Sequence, residues 1–210
     1  MRHVPHLMLG NPWTSDRVEV SETQLAHLAR VLRIGDGDPV SYTDGEGTLG
    51  EGVYEHGLVL RGRESKLERP TDLVVVAAPP GNRHRAWFMI EKLSELGVAE
   101  LRFLETRHGQ GRPPREDRLR SWVVAGLEQS RGAWLMGTSA ELVTLSSVTS
   151  PFAVAERGGS RETPHARTVV IGPEGGWAPG EVPEEAILFD LGSTVLRVET
   201  AAVVAAARMI

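Results

Sequence analysis

The apolar and polar positions follow two different patterns along the chain. In residues 1–70, short strand-like runs are separated by turn signals such as Asp36-Gly37-Asp38. One helix is predicted to begin after Ser21, because Ser21-Glu22-Thr23-Gln24 fits the capping-box pattern and apolar residues follow it at helical spacing. Several short strands with one small helix predict a compact β-barrel as the first domain.

Beyond a charged stretch at residues 61–71, which contains Pro70 and has no apolar period, the pattern changes. Apolar runs of strand length now alternate with stretches of helical periodicity. The predicted elements are strands at 73–78, 100–104, near 152, at 168–171 and at 186–191, and helices at 85–96, 115–129 and from 198 onward. This alternation predicts an α/β domain over residues 71–210, with a mostly parallel sheet and helices on its faces.

The final predicted helix, which begins near Val198, consists almost wholly of valine and alanine and has no polar face. Such a helix is either buried within its own domain or packed against a partner chain. The sequence leaves both interpretations open.

Composition narrows the class of protein. The 210 residues carry a net charge of −5 and are 40% apolar, which suits one large domain or two small ones. The absence of cysteine excludes a disulfide scaffold, a thiolate metal site and a cysteine nucleophile. The N-terminus lacks the apolar core of a signal peptide, and no window approaches the ~18 apolar residues that span a membrane. We therefore expect a soluble, cytoplasmic protein with no membrane partner and no metal.

An acidic protein can still carry a local patch that binds nucleic acid. One window between residues 102 and 120 concentrates positive charge, and its glycines and prolines predict a loop over a site. Its basic members are Arg102, Arg107, His108, Arg112, Arg115, Arg118 and Arg120.

Two glycine-containing loops near the C-terminus carry the clearest signal of a binding site. Ile171-Gly172-Pro173-Glu174-Gly175-Gly176 follows a β-branched run, and Leu191-Gly192-Ser193-Thr194-Val195-Leu196-Arg197 leads into the final helix. Open α/β sheets bind ligands at loops after their strands, and glycine lets backbone amides approach a ligand closely. The first loop alone could be a tight turn, and no Gly-Lys-Ser/Thr follows it as in a P-loop. Together the two loops predict one shared pocket.

These loops and several upstream motifs, in this order, resemble the ribosomal RNA small subunit methyltransferase E family of the SPOUT superfamily. After the second loop, Arg197-Val198-Glu199-Thr200-Ala201 continues the resemblance. The upstream segments that match are His27-Leu28-Ala29-Arg30-Val31-Leu32-Arg33 with Gly35-Asp36, then Asp44-Gly45, Lys92-Leu93-Ser94-Glu95-Leu96-Gly97-Val98 and Glu128-Gln129-Ser130-Arg131.

The resemblance implies a PUA-like β-barrel that binds RNA over residues 1–70, and a SPOUT methyltransferase domain with a trefoil knot over residues 71–210. It also implies a homodimer that uses S-adenosylmethionine to methylate N3 of a specific uridine in small-subunit (16S) ribosomal RNA, either free or in the assembled subunit. Knots are exceptional among protein folds, and no pattern in the sequence predicts one.

The cofactor contacts are expected in the two loops. S-adenosylmethionine needs an apolar slot for adenine and backbone groups for the edge of that base, which small apolar residues and glycines can provide. The expected cofactor-binding residues are Leu104, Ile171, Gly172, Pro173, Glu174, Gly175, Gly176, Leu191, Gly192, Ser193, Val195 and Leu196.

Arg197 and Glu199 are the expected catalytic residues. Uridine N3 is weakly acidic and must lose its proton before or during attack, so a base such as Glu199, or a cation such as Arg197 beside the developing charge, would serve. The structural alternative stays open, because a carboxylate in the first turn of a helix also favours the helix dipole and an arginine can pair with it.

Arginines are also expected to bind RNA, because phosphate neutralisation dominates affinity for nucleic acids. For any one of them, a solvated surface side chain is the alternative. The expected RNA-binding residues are Arg2, Arg30, Arg33, Arg107 and Arg131.

The sequence departs from the family pattern at two positions beside the expected site. Thr194 stands where the family has arginine, and Val198 stands where it has threonine. Two alternatives therefore stay open: a SPOUT methyltransferase with a different RNA target, and a degenerate homologue that binds RNA or cofactor without transferring methyl.

Overall fold

The computed structural model describes residues 4–10 and 13–210, without the side chains of His27, Val31 and Leu32. The chain divides into two compact units. The first unit contains Met1–Arg69 together with Leu127–Leu135, and the second contains Pro70–Gly126 together with Met136–Ile210. We call Leu127–Leu135 the anchor segment, because it belongs to the first unit although it lies far along the chain.

The first unit is built on a five-stranded sheet in the order β1-β3-β4-β5-β2, in which β1 and β3 are parallel and the other pairs antiparallel. Its core contains Leu9, Val40, Tyr42 and Val59, all at most 1% exposed. The strands are β1 His6–Met8, β2 Arg17–Glu19, β3 Pro39–Thr43, β4 Thr48–Glu55 and β5 Leu58–Lys66.

The predicted helix is present but changes character halfway. Helix α1 runs over Glu22–His27, and the Ser21 side chain and Gln24 form the capping box that the sequence predicts. A π-helical turn over Leu28–Leu32 then replaces the α-helix. Strands β1 and β2 were not predicted, because three residues are too few for an alternating pattern to stand out.

Side-chain hydrogen bonds hold the anchor segment within the first unit. Glu128 Oε1 accepts a hydrogen bond from the Met8 backbone N–H at 2.9 Å and another from Gln24 Nε2 at 2.8 Å. A ring nitrogen of the buried His6, Nε2, lies 2.9 Å from the Gly132 carbonyl oxygen. The polar groups of this segment are thus used within the fold.

The second unit contains a six-stranded sheet in the order β11-β9-β10-β6-β7-β8, in which every pair is parallel. The predicted parallel α/β sheet is confirmed. Its strands are β6 Val74–Ala77, β7 Glu100–Leu104, β8 Gly137–Val143, β9 Ala153–Ser160, β10 Thr168–Ile171 and β11 Ile187–Phe189.

Three helices accompany this sheet. They are α2 Arg83–Glu95, α3 Glu116–Ser130, whose last residues belong to the anchor segment, and α4 Val198–Met209. Helix α4 packs against α2, β10 and β6 and buries a face that contains Ala202, Ala205 and Ala206. Val203 and Val204 stay half-buried, so the interior of the unit covers only part of the helix.

The order of the strands creates a place for a ligand. Successive strands β6, β7 and β8 extend the sheet in one direction, whereas β9, β10 and β11 lie on the other side of β6. In open parallel sheets, ligands bind beyond the carboxyl ends of the strands where the order reverses. In the described part of the chain, no helix is long and apolar enough to cross a membrane.

Candidate active site

A cavity of about 290 Å³ lies in the second unit, where the carboxyl ends of β10 and β11 meet the middle of β9. Its walls come from three segments: residues 155–157 within β9, which we call the β9 segment, residues 171–177, the β10 loop, and residues 190–197, the β11 loop. Val198 and Ala201 of α4 complete the lining. The two loops that the sequence singles out therefore share one cavity.

The β10 loop is shaped by its glycines. The Gly176 N–H donates to the Pro173 carbonyl at 2.9 Å, and Gly176 has φ 72°, a conformation that favours glycine. The Trp177 ring lies directly against Gly172, where an added Cβ would be 2.7 Å from the ring. Four residues of this loop besides Gly172 and Trp177 line the cavity: Ile171, Pro173, Glu174 and Gly176.

The β11 loop is held by Asp190. Its Oδ1 accepts a hydrogen bond from the Gly192 N–H at 2.9 Å. This hydrogen bond lowers the pKa of the Asp190 carboxyl, and the positive charge of Arg161 lowers it further, whereas burial opposes both effects. Arg208, near the end of α4, donates to the Asp190 carbonyl at 3.0 Å. Leu191, Gly192, Val195 and Leu196 line the cavity.

Three expected cofactor contacts are not part of the cavity lining. Leu104 is 1% exposed and packs in the apolar core with Val76 and Val170. Gly175 lies against His108, because a Cβ added at Gly175 would be 3.1 Å from the Cβ of His108. Ser193 is exposed on the β11 loop.

The two expected catalytic residues have different surroundings. Arg197 is the N-cap residue of α4, is exposed and lines the cavity. Glu199 is only 6% exposed and does not line it. One of its carboxylate oxygens, Oε2, has no hydrogen-bond partner and lies 3.9 Å from Arg85 Nη1.

The β9 segment contributes lining residues that the sequence did not single out, namely Ala155, Glu156 and Arg157. These residues lie inside the strand Ala153–Ser160, so the rule that ligands bind at loops after strand ends does not identify them. The sequence predicted only a strand near residue 152, without defined ends. Thr194, Val198 and Ala201 were also missed as lining residues.

The basic loop after β7 lies beside the β10 loop. His108 Nδ1 is 3.1 Å from the Gly176 carbonyl oxygen, and the Glu181 carboxylate accepts hydrogen bonds from the N–H groups of Arg107, at 2.9 Å, and Ala178, at 2.8 Å. Although burial alone would raise the pKa of the Glu181 carboxyl, these two N–H groups lower it. The loop is thus tied next to the cavity.

The expected RNA contacts belong to both units. Arg30 and Arg33 are exposed in the first unit, and Arg107 is exposed beside the β10 loop. Arg131 instead donates to the Val4 carbonyl at 2.8 Å and to Ser41 Oγ at 2.9 Å, which gives it a structural role within the first unit. Arg2 lies outside the described residues. Over residues 4–10 and 13–210, no group of three acidic or histidine side chains could hold a metal ion.

Comparison with known proteins places this geometry in context. The family model for the RNA methyltransferase domain matches residues 67–210. No curated protein matches the chain.

Several solved structures share the fold of the chain. A probable rRNA-methyltransferase from Porphyromonas gingivalis has 25% identity and a TM-score of 0.80, over 97% of this chain and 96% of that one. A predicted RNA methyltransferase from Thermotoga maritima has 26% identity and a TM-score of 0.76, with 98% and 97% covered. Ribosomal RNA small subunit methyltransferase E from Neisseria gonorrhoeae, solved with S-adenosylmethionine, has 22% identity and a TM-score of 0.80, with 99% and 97% covered.

Proposed function

The chain belongs to the RNA methyltransferase domain family, and from this premise we propose that it transfers a methyl group from S-adenosylmethionine to N3 of a uridine in small-subunit (16S) ribosomal RNA. Family membership confirms the resemblance found in the motifs at the level of RNA methyltransferases. The cavity shared by the β10 and β11 loops is the observation that carries the proposal.

The cavity residues fit S-adenosylmethionine, which supplies a methyl group carried on a positively charged sulfur. Ile171, Leu191 and Leu196 offer apolar surface for an adenine. An added Cβ on Gly176 or Gly192 would meet nothing within 4 Å, so the backbone of both glycines is open to a ligand. The Neisseria gonorrhoeae enzyme, solved with this molecule, supports the assignment.

Arg197 is the residue we assign to the chemistry. Uridine N3 becomes negative as it loses its proton, and a guanidinium at the cavity wall stabilises such a charge. Arg197 is held there as the residue that begins α4. Glu199, the other expected catalytic residue, has a carboxylate outside the cavity lining, and its role is developed below.

RNA would be bound by exposed arginines. Arg107 and Arg112 are exposed on the loop beside the cavity, and Arg30 and Arg33 are exposed in the first unit. Each can neutralise a phosphate, the interaction that dominates affinity for RNA. A ribosomal substrate implies action in the cytoplasm.

The remaining features are carried by the sequence resemblance. They are a PUA-like barrel over residues 1–70, a SPOUT domain with a trefoil knot over residues 71–210, and a homodimer. Support for a dimer comes from α2, which leaves Trp87 and Phe88 exposed to 41% and 39%. Adjacent exposed aromatic side chains of this size are typical of a protein interface.

Calorimetric titration with S-adenosylmethionine, followed by transfer of its labelled methyl group to small-subunit ribosomal RNA, tests the proposal. Leu196→Trp should abolish binding by filling the cavity, whereas Leu142→Trp, on the far edge strand β8 and already 46% exposed, should leave it intact. Mass spectrometry of the RNA should then find N3-methyluridine.

Other outcomes of this experiment are equally informative. No binding by the parent protein would refute the cofactor assignment. Binding without transfer would favour the degenerate homologue, for which Thr194 at the cavity wall is the motivating feature. Methylation of another RNA would favour the other SPOUT alternative.

A further inference from the structure

Arg85 lies between two carboxylates that come from different parts of the second unit. It is in the first turn of α2, and its Nη1 donates to Glu174 Oε1 of the β10 loop at 2.5 Å. The same nitrogen is 3.9 Å from Glu199 Oε2, in the first turn of α4. We call these three side chains the Arg85 network. It joins two helices to a loop that lines the cavity.

The buried carboxylate of Glu199 needs a nearby positive charge, which Arg85 supplies. Its side chain is 8% exposed, and Oε2 has no hydrogen-bond partner. A buried carboxylate costs free energy unless a charge or a hydrogen bond compensates it. The start of α4 contributes a favourable dipole, and among the ion pairs of the described residues Arg85 is the cation that Glu199 meets. Glu199 therefore attracts the Arg85 guanidinium electrostatically at the start of α4.

The β10 loop needs an external tether. Gly172, Gly175 and Gly176 give its backbone wide conformational freedom, and the loop would lose entropy each time it closed on a ligand. The Glu174 side chain is 42% exposed and lines the cavity wall. Its bond to Arg85 ties the loop to the rigid start of α2.

We propose that Arg85 is a positioning residue that links Glu199 to Glu174 and so holds the β10 loop in the shape that binds the cofactor. Glu199 accordingly acts through Arg85 and not as the general base. The cofactor arm of the test rests on the proposed function, whereas its hydrogen-exchange arm does not.

Hydrogen–deuterium exchange of the unliganded protein tests the tether directly. In Arg85→Gln, the amides of residue 172 and residues 174–177 should exchange about two- to fivefold faster, because a partly exposed ion pair contributes a factor of this size. Arg85→Lys should recover part of the protection. Arg83→Gln changes an exposed arginine in the same helical turn and should leave exchange unchanged. Equal exchange in the parent and Arg85→Gln would overturn the proposal.

Calorimetry then separates the two roles of Glu199. If it acts through Arg85, Glu199→Gln and Arg85→Gln should each raise the Kd for S-adenosylmethionine about two- to fivefold. The double variant should then bind no more weakly than either single variant. If Glu199→Gln instead leaves Kd unchanged and lowers kcat about 100-fold or more, as loss of a general base does, the proposal is wrong.

Two controls keep these results interpretable. Circular dichroism of each variant establishes folding. If the buried Glu199→Gln variant unfolds, Glu174→Ala, at an exposed position, removes the acceptor of the Arg85 hydrogen bond on the side of the loop. Its loop amides should exchange as fast as those of Arg85→Gln, and slow exchange would contradict the tether. Failure of the parent to bind S-adenosylmethionine would refute the proposed function, while the exchange result would still decide the role of Arg85.

Discussion

The anchor segment and the β10 loop both contain sequence motifs that resemble the same family, yet their polar groups are used differently. In the anchor segment, Glu128 and Arg131 form hydrogen bonds with backbone and side-chain groups of the first unit. In the β10 loop, glycines leave backbone open beside a cavity, and one side chain, Glu174, is tied from outside. A motif whose polar groups form hydrogen bonds within the protein stabilises the fold. A motif whose polar groups stay accessible can instead bind a ligand.

The largest expected effect comes from Gly172→Val. Its new side chain would meet the Trp177 ring, because a Cβ alone would already lie 2.7 Å from it. Displacing this ring should raise the Kd for S-adenosylmethionine more than about 100-fold, or ~2.7 kcal/mol, in calorimetric titration. Gly10→Val is the matched control, since an added Cβ at Gly10 would meet nothing within 4 Å. An unchanged Kd in Gly172→Val would show that the β10 loop is not the site.

Next comes Glu128→Ala, which should act on the fold and leave the site alone. It removes the acceptor of the Met8 N–H and of Gln24 Nε2. Leaving such groups unpaired should lower the free energy of unfolding by ~2 kcal/mol, measured by urea denaturation, with the Kd for S-adenosylmethionine unchanged. Glu51→Ala, at an exposed position of β4, should change neither quantity. A higher Kd for S-adenosylmethionine in Glu128→Ala would contradict the division into a stabilising motif and a binding motif.

A smaller effect should separate Arg131 from Arg30. Arg131→Ala loses hydrogen bonds to Val4 and Ser41 and should destabilise the protein by about 1 kcal/mol. Arg30 is exposed, so Arg30→Ala should leave the free energy of unfolding unchanged. It should instead reduce the slope of log K against log salt for RNA binding by about 1, the value for one lost phosphate contact. Urea denaturation and RNA titrations over a range of salt concentrations measure the two. The reverse pattern would make Arg131 the RNA contact.

The smallest effect concerns pH and the buried His6. Burial lowers the pKa of this imidazole, Arg131 lowers it further, and the hydrogen bond with Gly132 opposes both. The folded state therefore binds a proton at His6 less readily than the unfolded state. The contribution of neutral His6 to the free energy of unfolding is present above pH 6.5 and is lost as the pH falls below that value. Urea denaturation between pH 7 and 5 should show a shallower pH dependence for His6→Gln. Identical slopes would contradict the prediction.

Helices and strands could be predicted where a few neighbouring residues carry a recognisable pattern. The capping box at Ser21 and the strand Thr168–Ile171 occur as predicted, because capping and β-branched runs act over a few residues. Strand β8 was missed because all its positions are exposed or half-buried, so its sequence has no apolar alternation, as in Ser139, Ala140 and Glu141.

The site could be predicted only in part. Glycine motifs identified the β10 and β11 loops, since glycine is required where backbone approaches a ligand or adopts positive φ. Leu104 was expected in the site, but its side chain turns into the core. Arg85 was not singled out, because a single arginine at the start of an amphipathic helix has no sequence feature that reveals a partner 89 residues away.

The sequence alone determined that the chain alternates strands and helices after residue 70, and it identified the two loops that face one cavity, because periodicity and glycine act locally. Three features emerge only in the tertiary structure: Leu127–Leu135 belongs to the first unit, the β9 segment completes the cavity, and Glu199 contacts Arg85 and does not line the cavity. Each of these depends on contacts between residues distant along the chain. Such contacts are selected by burial and charge compensation in the folded molecule and leave no local pattern.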